Sequence, residues 1–263
     1  MEASEAMRAL LACFCLSLCL APAALAQNLT ITGRFQYQSR DYDINGFRPT
    51  STARPVRNAD VAVYGSQGTV AATYTNQGGY FSVTVPSPTL PEQLYVRCTT
   101  SSANASAAQP NSVVPLFVRS TTLGVPLYSL GNTTAFSVPS GATALAVGTL
   151  TASTVNTTHP SGLTSIGNAF EIFDVFVGTY EYLVNYTGAP IPVPAPVQKP
   201  IYAYWPTGAG NSVATYAPLN GTSFPQYATA YISWHQGSDA SLLAHECGHF
   251  VYDEHALNHS PRG

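Results

Sequence analysis

The stretch "ATYTNQGGYFSVTV", residues 72–85, divides at two glycines. After them Phe81, Val83 and Val85 alternate with Tyr80, Ser82 and Thr84, the period of a strand with one buried face. Before them "TVAATYT" (69–75) is rich in β-branched and aromatic residues, and Gly78 and Gly79 can take the positive backbone angles of a tight turn. The stretch predicts a β-hairpin. The same pattern continues outward, with strands expected at "LTITGRFQYQ" (29–38), "ADVAVYG" (59–65), "QLYVRCT" (93–99), "VVPLFVRS" (113–120) and "ATALAVGTLT" (142–151). Glycine, proline and asparagine punctuate these runs, so residues 27–153 read as an all-β sandwich or barrel.

Three segments, "ITGRFQY" (31–37), "RPVRNADVAVYG" (54–65) and the hairpin above, resemble the carboxypeptidase-regulatory-like or transthyretin-type β-sandwich. The resemblance covers residues 31–85 well and the rest to 153 loosely, and it implies a spacer or binding module without catalysis. Within it "DYDING" (41–46) matches the opening half of a calcium loop through Asp41, Asp43, Asn45 and Gly46. Thr52 stands where the closing glutamate is needed, so a polar hairpin turn is expected instead.

The composition narrows the function classes. Of 263 residues 45% are hydrophobic, enough for a substantial core, and only 9% are charged. The net charge is −3 and Lys199 is the single lysine, so no basic stripe exists for a nucleic-acid backbone. Residues 1–26 carry Arg8, an apolar run and Ala24-Leu25-Ala26 before Gln27, which reads as a cleavable signal peptide. A secreted, cell-surface or periplasmic protein is expected, with no stable membrane insertion after cleavage. Cys13, Cys15 and Cys19 would leave with that peptide, and Cys98 and Cys247 leave room for one bridge.

The pattern changes after a Thr/Ser/Asn-rich linker at 154–167. In "NAFEIFDVFVGTYEYLVNY" (168–186), Phe170, Phe173, Val177, Tyr180 and Leu183 recur at helical spacing, with Asn168 as the expected N-cap. "APIPVPAPVQKP" (189–200) cannot be helical. Short strands are expected at "IYAYWP" (201–206) and "ATAYISW" (228–234), followed by a helix in "SDASLLAHECGHFVYDEH" (238–255). Ser238 or Asp239 can cap that helix, and Leu242, Leu243, Cys247, Phe250 and Val251 form its apolar face.

One helical turn separates His245 from His249, so both imidazoles can reach one zinc ion while leaving a position open for water. Glu246 would sit beside that position, where a carboxylate can take a proton from the activated water and pass it to the leaving amine. The segment resembles the zincin metallopeptidases, the thermolysin-like gluzincins in particular, through its order of helix, strands, edge strand and HExxH helix. That resemblance implies a peptide or protein substrate, Zn2+ as cofactor, His245 and His249 as ligands, Glu246 as general base and Tyr231 to Trp234 as a substrate-pairing edge. Asp253 matches an aspartate common eight residues after the first histidine.

Gluzincins take their third ligand from a downstream glutamate, and no residue here fills that place, so it is expected beyond Gly263 and the chain reads as an N-terminal portion. His255 stands ten residues after His245, as in metzincins, but Tyr252 replaces the bending glycine. On a continuous helix position 255 lies about 80° behind 245 and about 120° from 249, which favours a solvent-facing histidine. His235 and His259 read as surface residues. The expected fold is therefore multidomain: an all-β, transthyretin-like sandwich at 27–153 followed by an α+β zincin-like subdomain at 168–263. The competing function is a non-catalytic cell-surface or adhesive β-sandwich protein with a degenerate zincin domain.

Overall fold

The computed structural model describes residues 27–43, 46–86, 92–109, 113–120, 127–153, 166–187, 200–207, 228–233 and 239–259, with backbone alone at 250–259. Residues 1–26, where the signal peptide is expected, most of the expected linker at 154–167 and the proline-spaced segment 189–199 lie outside them. The described chain is mostly β-sheet with few helices, an architecture compatible with the expected sandwich.

The first sheet is organised by β1 (Leu29–Asp43), a strand long enough to carry several partners. Its start pairs antiparallel with β5 (Tyr80–Val85) and its end antiparallel with β2 (Gly46–Pro55). Along its other edge it pairs parallel with β10 (Ala144–Ala152). The polar turn expected at 41–46 is met by the β1–β2 pairing of Asp43 with Gly46, while its side chains lie outside the described set. A second sheet runs β4 (Gly68–Tyr74), β3 (Asp60–Gly65), β6 (Glu92–Thr99) and β8 (Ser129–Gly131), with β9 (Phe136–Val138) also on β6. A short helix α1 (Ala103–Ala108) follows β6.

The hairpin expected at 72–85 does not form, because β4 pairs with β3 and β5 with β1, so the turn carries the chain from the second sheet to the first. The alternation of β5 is as its pattern requires. Phe81, Val83 and Val85 are buried while Tyr80, Ser82 and Thr84 are exposed. Only Gly79 of the glycine pair takes positive φ, at 76°, and a Cβ there would lie 2.4 Å from the Phe35 carbonyl oxygen. Gly78 does not need it, because Asn76 Oδ1 accepts the N–H groups of Gly78 at 2.9 Å and Tyr80 at 3.1 Å and closes the turn itself.

The third sheet is parallel: β7 (Leu116–Ser120), β11 (Ile201–Thr207) and β12 (Ala228–Ser233), with β11 in the middle. β7 lies within the 27–153 span by sequence, yet its register is Leu116 with Ile201 through Ser120 with Trp205. Two helices accompany this sheet, α2 (Ile166–Thr187) and α3 (Ala240–His259). α2 buries Phe170, Phe173, Val177 and Tyr180 as its spacing predicts, together with Ala169, Ile172 and Phe176. Each large side chain so buried contributes roughly 1.5–3 kcal/mol, which outweighs the unfavourable β-branched residues of this helix.

Two local expectations differ. α2 begins at Ile166, so Asn168 lies inside its first turn and is not its cap. The Gly167 N–H is instead satisfied across the fold by the Ser153 carbonyl at 3.3 Å. Cys98 and Cys247 are both free thiols, buried in different parts of one continuous core. Among the described residues no helix is long and apolar enough to cross a membrane.

Candidate metal centre

Asp239 starts α3 as expected. Its Oδ1 accepts the Leu242 N–H at 3.1 Å, and the Leu243 N–H reaches its carbonyl at 2.9 Å. Leu243 and Cys247 are buried, and the Cys247 thiol lies 4.0 Å from the Phe176 carbonyl of α2. Burial pushes that thiol up to about 12, so it packs as a neutral group and supplies no thiolate.

With that face turned inward, His245 and His249 stand exposed. Their Nε2 atoms are 3.0 Å apart and their rings meet edge to face at 83°. Two imidazole nitrogens at this separation either share one proton or aim two lone pairs at one point. The second arrangement suits a cation after a small opening of the pair, because nitrogens about 2.0 to 2.1 Å from a tetrahedral zinc lie about 3.3 Å from each other. The exposed pair therefore fits two positions of a zinc ligand set. Glu246, between them in sequence, is only 8% exposed, a carboxylate set into the protein beside an open pair.

The remaining site expectations divide. Among the described residues no group of three or more His, Cys, Asp or Glu side chains gathers as a metal cluster. α3 continues unbroken through Tyr252 to His259, so the bend that would bring position 255 back is absent. The side chains of Asp253, His255 and His259, and all of Trp234 and His235, lie outside the described set. Tyr231 is 40% exposed on β12, which is an edge strand among the described residues.

Two sets of residues escaped the sequence reading. The first joins α2 to β1 and the Arg57–Asn58 loop. Tyr37 Oη donates to Asp174 Oδ2 at 2.9 Å, Ser39 Oγ donates to Glu171 Oε1 at 2.6 Å, and Arg57 Nε donates to Asp174 Oδ1 at 2.6 Å. Arg57 Nη1 reaches Glu181 at 2.9 Å, where Asn58 and Gln77 also donate. Gly178 makes room for this guanidinium, since a Cβ there would lie 2.9 Å from Arg57 Nη2. Burial acts to lower the Arg57 pKa, but the hydrogen bond and charge of Asp174 overcome it and the net direction is up. Burial first, then the charge of Asp174, drives the Tyr37 phenol well above its ordinary range.

The second set lies near the carboxyl ends of the parallel strands, where Arg119 Nε, Trp205 Nε1 and Ser233 Oγ are buried with no hydrogen-bond partner among the described residues. Nothing in the local sequence signals either set, because both depend on which strands become neighbours. Comparison with known protein families finds no match for the chain, and comparison with curated proteins finds none either.

Proposed function

We propose that this chain is an exported zinc-dependent metallopeptidase, with a transthyretin-like β-sandwich at 27–153 and a zincin-like part at 168–263 joined through 154–167. The observation that carries the reading is the convergence of His245 Nε2 and His249 Nε2 to 3.0 Å on the exposed face of a capped helix. These two nitrogens would hold the ion, which when bound supplies Lewis-acid polarisation of a peptide carbonyl. Glu246 is the general base: its carboxylate takes a proton from the attacking water and returns it to the leaving amine nitrogen. The edge of β12, open among the described residues, offers main-chain N–H and C=O groups that would hold the substrate extended beside the helix.

Metal content tests the ligand assignment. The wild-type chain is expected to retain zinc after dialysis, and His245→Ala and His249→Ala to lose it. Equal zinc in all three proteins would remove the pair from the mechanism. Cleavage of a peptide library is expected to fall by about 10²- to 10⁴-fold in Glu246→Gln, the range of a lost general base.

The non-catalytic reading, an adhesive or cell-surface sandwich with a degenerate zincin part, draws on one observation. No third ligand joins the pair among the described residues. Retention of zinc without any peptide cleavage by the wild-type chain would favour it.

A further inference from the structure

The parallel sheet has two chemically different faces. Leu116, Val118, Ile201, Ala203, Trp205, Ala230 and Ile232 are buried on one side. By strand alternation Phe117, Tyr202, Tyr204 and Tyr231 stand on the other. Their rings form a ladder across all three strands: Phe117 to Tyr202 at 5.0 Å, Tyr202 to Tyr204 at 6.5 Å and Tyr204 to Tyr231 at 5.4 Å. Successive planes deviate by only 18–25°. Phe117 with Tyr202 and Tyr204 with Tyr231 are direct register partners, and the row steps two residues along β11 between them before crossing to the sheet's edge at Tyr231. The last ring is also the one with the most surface in solvent among these four.

We propose that Tyr231 selects extended peptides that place an aromatic side chain beside it, which would add a further rung to the ladder. This rests on the reading that the β12 edge holds the substrate. A strand added there would lie about 4.8 Å away, with alternate side chains on the ladder face. Near-parallel stacking at that spacing suits a planar ring better than a branched aliphatic chain. Among the described residues no cation lies over the Tyr231 ring. The Arg119 guanidinium is 4.4 Å from the Tyr202 ring centroid and belongs to β7, the opposite edge of the sheet.

Binding to the Glu246→Gln chain tests this without requiring turnover. The probes are short blocked peptides of alanine and serine in which one phenylalanine is walked along the positions, compared with leucine and alanine at each. One position is expected at which phenylalanine binds about two- to five-fold more tightly than alanine, the size of a cross-strand aromatic pair. Tyr231→Thr, which keeps strand propensity, is expected to erase the difference, and Tyr231→Phe to keep it. An unchanged preference in Tyr231→Thr, leucine equal to phenylalanine, or no binding by any peptide would overturn the proposal. Peptide selection without cleavage by the wild-type chain would instead refute the peptidase reading and leave the selectivity standing.

Discussion

α2 and α3 pack against each other beside the same sheet, yet they are built for opposite ends. The middle of α2 is enclosed: Asp174 faces Tyr37 and Arg57, while Phe176, about 200° round the axis, backs Cys247 of α3. Its carboxylates are held by partners more than a hundred residues away. α3 buries Leu243 and Cys247 against this support and turns His245 and His249 outward, with only each other as partners among the described residues. α2 ties Asp174 and Glu181 to Arg57, whereas α3 leaves its two imidazoles facing solvent.

The contrast can be broken most severely at Asp174. Asp174→Ala would leave Arg57 and Tyr37 facing a hole, and with these ion-pair side chains only 23% and 11% exposed the loss is expected to be about 3 kcal/mol. A shift of the urea midpoint measures it. An effect under about 0.5 kcal/mol would show that the contact is peripheral.

A middle-sized effect is expected at Tyr37. Its phenol ionises at higher pH in the folded chain than in the unfolded one, so its contribution is whole below about pH 10 and is lost as pH rises toward the folded value. Tyr37→Phe should cost about 1 kcal/mol at neutral pH through the lost hydrogen bond. It should also flatten the alkaline decline by up to about 1.4 kcal/mol per pH unit. Denaturation curves at about pH 8 and about pH 11 check both, and parallel declines would reject the linkage.

At the other extreme, His245→Ala and His249→Ala are expected to change the stability of the metal-free chain by less than about 0.5 kcal/mol, because both side chains are exposed. Thermal melting with and without zinc would sharpen the contrast: zinc should raise the melting temperature of the wild-type chain and of neither variant.

Much of the strand pattern could be read locally. Alternation in Tyr80–Val85 and the β-branched runs of β3 and β6 report a half-buried strand wherever they sit. β2 carries Pro49 and Pro55 and was hidden by them, and β8 and β9 are too short for any period to show. The HExxH helix was legible for the same reason as the strand Tyr80–Val85, since two histidines four apart share a face once a cap and an apolar stripe make a helix. The sheet partners of β4 and β5 were not legible, and the expected hairpin failed because pairing with β3 and β1 was decided at a distance. The α2 clamp was not. Glu171, Asp174 and Glu181 look like an ordinary solvated stripe until β1 and Arg57 are brought against them.

The sequence by itself determined the β-rich class, the two long helices and the one-turn spacing of His245 and His249, because each follows from side-chain periodicity over a few residues. Tertiary structure alone decided that β7 joins β11, that the rings of Phe117, Tyr202, Tyr204 and Tyr231 line up, and that Asp174 and Glu181 of α2 are paired with Arg57. Those outcomes depend on contacts between segments distant in the chain, whose energies no local pattern records.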